Sequence, residues 1–165
     1  MSQPATKERA IRAARERARY EDDLCAWVDE QVSLLRTGQV AELDLNNIAE
    51  ELSDVGKTQS WRLWSALRVL VMHMLKWDQR PERQSTSWVR SIREQRRRYA
   101  KLLEASPSLK AQRDGILEDV YPTSRGWASE ETHIPEDEFP AECPYDWEDI
   151  LERPFETDAA ERRTQ

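Results

Sequence analysis

Residues 44–77 read DLNNIAEELSDVGKTQSWRLWSALRVLVMHMLKW, and their spacing decides the fold. At about 100° per residue, one face collects Leu45, Ile48, Ala49, Leu52, Gly56, Leu63, Ala66, Leu67, Leu70, Met74 and Trp77. An apolar stripe that keeps phase this long predicts one continuous helix of roughly 50 Å. Gly56 is the place for a kink, and its position on the stripe points to close approach of a neighbouring helix.

Upstream, Tyr20, Leu24, Trp27, Val28, Gln31, Leu34 and Leu35 recur at three- and four-residue steps, which predicts a helix over 20–37. Glu21, Asp22 and Asp23 fall in its first turn, Cys25 lies near its apolar stripe, and Gly38 suits the residue just past its end. Residues 1–19 carry an Ala/Arg/Glu-rich run with little apolar face and read as a polar, helix-prone extension. Downstream, Pro81 ends the long helix, and Ser85 or Thr86 caps a third one over 87–105 that buries Trp88, Ile92, Tyr99, Leu102 and Leu103. Ser106 and Pro107 then open a fourth helix carrying Leu109, Ile116, Leu117, Val120, Tyr121 and Trp127, which Pro122 should stop or kink. Beyond Ile134 the chain is acidic and punctuated by proline, with one short helix over 146–151 able to dock Trp147, Ile150 and Leu151. The expected architecture is an all-α, up-and-down bundle of about four main helices plus this short one, over residues 20–152. Residues 153–165 form an unstructured tail in this reading.

Composition bounds the function. The net charge of −7 argues against bulk attraction to nucleic acid or an anionic membrane. Charge is segregated: +4 over 7–19, −9 over 21–54, +6 over 76–101 and −14 over 114–161, as suits helices that neutralise one another. Cys25 and Cys143 lack metal or redox spacing, so free thiols in a reducing cytoplasm are expected. The longest apolar run, Val69 to Leu75, falls far short of the roughly 18 residues of a membrane span.

Four collinear segments carry a family resemblance: YEDDLCAWVDEQVSLLRTGQ at 20–39, LDLNNIAEELSDVG at 43–56, HMLKWDQRPERQSTSWVRSIREQRRR at 73–98 and EDEFPAECPYDWEDIL at 136–151. Together they resemble the prokaryotic family named domain of unknown function 29. The resemblance implies a small, mostly bacterial α-helical bundle with no established activity, and it assigns no functional residues. Pro122 departs from the family pattern, whose corresponding helix is uninterrupted.

One polar constellation stands out. His73 lies beside the core stripe, Lys76 and Trp77 follow it, and Trp88, Arg90 and Arg93 come after the turn. If helices two and three are antiparallel, these groups converge at one end, where they could hold an anionic or aromatic ligand. The competing reading is a boundary histidine and two core tryptophans. On helix three Arg90, Arg93, Arg97 and Lys101 form a basic stripe, either tracking phosphates or simply facing solvent. Gln95 and Arg96 project toward the apolar side, which suggests a structural ion pair of Arg96 with a carboxylate such as Glu51. A metal held by Glu51 and His73 would have to span about 33 Å of straight helix, so no metal site and no cofactor are expected. Cys143 has no histidine beside it in sequence, His133 lying ten residues earlier in the same acidic stretch, and no nucleophile motif or phosphate loop is present. The leading expectation is therefore a non-enzymatic, cytoplasmic protein-interaction module that self-associates, with enzymatic activity disfavoured and nucleic acid or membrane not expected as partners.

Overall fold

The computed structural model describes residues 20–157. The expected extension 1–19 and the end of the tail, 158–165, lie outside the described residues. Five α-helices are present among the described residues and no strand: α1, Leu24–Arg36; α2, Leu45–Gln79; α3, Thr86–Ala105; α4, Arg113–Thr132; and α5, Trp147–Glu152. The protein is an all-α helical bundle. The chain forms two compact units that divide between Val55 and Gly56, inside α2.

The first unit is a helical hairpin. Its opening is set by Asp23, whose carboxylate accepts from the Ala26 N–H at 3.0 Å, so the acidic triplet caps α1 rather than filling its first turn. Its end is a Schellman turn: the Gln39 N–H reaches the Leu34 carbonyl at 2.9 Å and the Gly38 N–H reaches Leu35 at 3.2 Å. Gly38 sits at φ +72°, the left-handed conformation that this turn requires. Asp44 caps α2 through Asn47, and Gln31 accepts the Asp44 N–H at 2.9 Å, tying the helices together. Trp27, Gln31 and Leu34 are buried, whereas Leu24, Val28 and Leu35 of the same stripe are exposed, as are Leu45, Leu52 and Val55. Cys25, expected near the core, is exposed as well.

The second unit holds the main core. From Ala66 to Trp77 most α2 side chains are buried, with Arg68, Val69 and His73 half-buried. Leu63, Leu67, Leu70 and Met74 are fully enclosed, with Ile92 of α3, Val120 of α4 and Ile150 of α5. Hydrogen bonds fix the register of α2 against α4 and the residue before it: Ser60 with Gln112, Trp64 with Asp119, and Ser124 with the Arg68 carbonyl, while Lys76 pairs with Glu131. Both numbers rise together, so α4 runs parallel to α2, and the short turn Pro81–Arg83 reverses the chain into α3 between them. The result is up, down, up.

Several expectations change. Helix α2 runs through Gly56 as predicted, yet among the described residues nothing approaches within 4 Å of where a Cβ would stand, so no described helix closes on it. A six-residue 3₁₀ turn, Pro107–Gln112, precedes α4, which therefore begins later than predicted. Pro122 does not stop α4. The carbonyl it leaves unbonded is that of Glu118, and both residues are on the exposed face, open to solvent. Trp127 is exposed and Trp88 only partly buried, while Val89, outside the predicted core, is buried.

Residues 133–157 form a strap along the second unit. Ser129, Arg125 and Tyr121 on successive turns of α4 donate to the carbonyls of Ile134, Glu136 and Pro140, so the strap first runs back down α4. Ile134, Phe139, Tyr145, Ile150 and Phe155 are buried, so packing continues past the expected boundary at 152. Arg153 is held by Asp78 in a two-pronged ion pair at 3.0 and 2.5 Å, and Tyr145 donates to the same carboxylate at 2.8 Å.

Candidate functional site

The C-terminal end of α2 brings part of the expected constellation together. Lys76 is 4% exposed, and its ammonium is paired with Glu131 of α4 while lying 4.5 Å from the centre of the Trp88 ring. His73, one turn earlier, is half-buried with its Nδ1 enclosed and without a hydrogen-bond partner. Burial, reinforced by the Lys76 ammonium and opposed by Glu131, pushes its pKa down to about 4. His73 is therefore a neutral imidazole near pH 7. A lysine already neutralised by a carboxylate and an imidazole of this low basicity make a weak acid–base pair.

The other members separate. Trp77 packs edge-on against Phe155 at 5.4 Å. Arg93 is exposed and, with Arg90, lines a recess of about 240 Å³ that also contains Glu156. All four residues of the basic stripe, Arg90, Arg93, Arg97 and Lys101, are exposed, and Glu94 takes both Arg97 and Arg98. Arg96 and Glu51 each have a partner other than the one expected. The Arg96 guanidinium donates to the carbonyls of Ile150, Arg153 and Asp149 at 2.8, 2.8 and 2.9 Å, closing the end of α5. Glu51 accepts the Tyr20 hydroxyl at 2.7 Å, which raises that phenol to about 12.

The cysteine chemistry is quiet. Burial raises the Cys143 pKa, and its Sγ contacts the Tyr145 carbonyl at 3.7 Å, so the group stays a thiol rather than a nucleophilic thiolate. His133 closes α4 in a left-handed conformation, φ 57°, with its side chain exposed. Among the described residues no cluster of three or more histidines, cysteines or carboxylates could hold a metal ion.

A feature that sequence reasoning missed lies at the middle of α2. Trp61 stacks on Trp64 with ring centres 4.6 Å apart and planes 7° from parallel. Asp119 of α4 anchors the Trp64 indole N–H at 2.5 Å. The Arg68 guanidinium follows, 5.1 Å from Trp64 and 3.9 Å from Trp127, completing a ladder of aromatic and cationic groups. The available signal was the spacing Trp61, Trp64, Arg68, which puts all three on one helical face.

A three-helix up-down-up core strapped by an aromatic-rich C-terminal segment places the protein among small all-α bundles. It belongs to the family described as Domain of unknown function DUF29, which matches residues 19–156. No curated protein and no solved structure matches the chain. Among the described residues, no helix is long and apolar enough to cross a membrane.

Proposed function

We propose that this protein is a non-enzymatic, cytoplasmic interaction module that self-associates through the apolar face of residues 24–55. The observation that carries the reading is the exposure of that face: Leu24 46%, Leu35 53%, Leu45 60%, Leu52 68% and Val55 60%. These residues recur at helical spacing. Leu24, Val28 and Leu35 fall within about 40° on α1, and Leu45, Leu52 and Val55 within about 80° on α2. Apolar stripes at this spacing are core faces, and an uncovered one marks an interface.

A second copy is the favoured occupant, because a two-fold axis lets one apolar patch cover its own equivalent. Completing the burial of six half-exposed side chains contributes about 1 kcal/mol each, or about 12 kcal/mol over two copies. Set against the low end of an association cost of about 4–15 kcal/mol, this leaves a dimer of about micromolar affinity. The −9 charge over 21–54 makes the two faces repel, so salt should tighten the dimer rather than loosen it. The reading gives the cluster around His73 a structural role, and it gives nucleic acid no part.

Sedimentation velocity across a concentration series tests it. The expected result is a concentration-dependent dimer that Leu52→Glu converts to monomer without loss of helicity. A strict monomer at about 100-fold above the micromolar range would sink the proposal.

A further inference from the structure

Between α2 and α3 lies an open groove of about 680 Å³, within the size range of small-molecule sites. Its lining recurs at three- and four-residue steps on both helices. Its charge is one-sided: Arg62, Arg68, Arg98 and Lys101 contribute to it, and no carboxylate does, in a chain whose net charge is −7. Arg98 is held by Glu94 at 3.1 Å, and Arg68 lies in the tryptophan ladder. Among the described residues, neither Arg62 nor Lys101 has an acidic partner within salt-bridge distance. Ala66, Val69 and Leu102 supply an apolar floor.

Two further groups shape the ligand. Trp61 is 61% exposed and is stacked on one side by Trp64, so its indole is rigidly presented along the groove. Gln95 lines the same groove, is only 7% exposed, and its enclosed amide oxygen has no hydrogen-bond partner. A buried amide without a partner costs about 1–3 kcal/mol, which a ligand in the groove would relieve. A half-turn of the amide exchanges its oxygen and nitrogen, so Gln95 can accept from a ligand or donate to it.

We infer that this groove binds a small planar aromatic anion, a ring bearing a carboxylate or a phosphate. Arg62 and Lys101 take the anionic group, Trp61 stacks on the ring, and Gln95 meets a polar edge. The site is independent of the self-association face, since all its residues lie in the second unit.

Isothermal titration of the full chain with naphthyl phosphate and naphthoate tests it, with uncharged naphthalenemethanol and inorganic phosphate as controls. The expected result is binding of at least one anionic naphthyl probe, with both controls about tenfold weaker or undetectable. Trp61→Ala and the double variant Arg62→Glu/Lys101→Glu should each weaken binding about tenfold. These residues are exposed, so circular dichroism should show the fold retained. Gln95→Leu should also weaken binding, whereas Leu52→Glu should leave it unchanged. The inference is overturned if neither anion binds, if either control binds as tightly as the anionic probes, or if the Trp61 and Arg62/Lys101 variants bind like wild type.

Discussion

Acidification should destabilise this protein through His73, and the size of the effect follows from its surroundings. The folded imidazole has its pKa lowered from 6.5 to about 4, by burial first and then by the Lys76 ammonium, with Glu131 opposing. A base with a lowered folded-state pKa holds its proton less readily when folded than when unfolded. Between pH 6.5 and pH 4 the unfolded chain thus binds more protons, and stability falls as pH drops through that window. The full difference corresponds to about 3 kcal/mol, reduced to about 2 kcal/mol because the half-buried ring is partly screened by solvent. Between pH 7 and pH 5 the expected loss is about 1 kcal/mol. Urea unfolding of wild type and His73→Gln at both pH values isolates this share, because the variant keeps every other titrating group. Imidazole NMR, with His133→Gln to assign the signals, should follow His73 directly. Lys76→Met should raise its pKa by removing the ammonium, leaving burial as the remaining cause. Titration of His73 near 6.5, or equal acid losses in wild type and His73→Gln, would refute the reasoning.

Two further perturbations follow from local geometry. Gly56→Ala should stabilise the chain by about 0.5–1 kcal/mol, because among the described residues nothing lies within 4 Å of the new Cβ in a helix interior, whereas Gly38→Ala, at φ +72°, should cost about 1 kcal/mol. Thermal melts should separate the two in sign, and a destabilised Gly56→Ala would show that another element closes on that position. Arg96→Met removes a guanidinium that serves three carbonyls at the end of α5 and should cost about 3–4 kcal/mol by urea unfolding. Arg96→Lys should fail to restore it, since one ammonium cannot reproduce the planar fork, and a loss below about 1 kcal/mol would show that solvent replaces Arg96.

What could be read from the sequence was what the backbone decides locally. Gly38 ends α1 because the turn needs a left-handed residue, and Pro81 ends the long helix within two residues of where the structure ends it. The unread parts depended on where solvent lies. Pro122 is harmless because Glu118 faces water, and a helical projection of one segment cannot show that. The stripe on α2 kept perfect phase across 44–77, yet among the described residues only its second half is covered by neighbours. Phe139, Tyr145 and Phe155 escaped notice because the strap is aperiodic, and periodicity was the signal in use.

The site shows the same division. Gln95 and Arg96 were visible as polar residues on an apolar side, but their partners were not. Arg96 is held by backbone carbonyls, which have no sequence signature, and the enclosed amide oxygen of Gln95 has no hydrogen-bond partner among the described residues. Trp61 and Arg62 were invisible as functional candidates because their significance comes from α3 across the groove.

The central claim, that residues 24–55 present an interface to a second copy, is tested most directly by sedimentation equilibrium at low and high salt. The account predicts a dimer whose affinity rises with salt and which Leu52→Glu abolishes. A monomer at both salt concentrations, or an assembly untouched by Leu52→Glu, would contradict it.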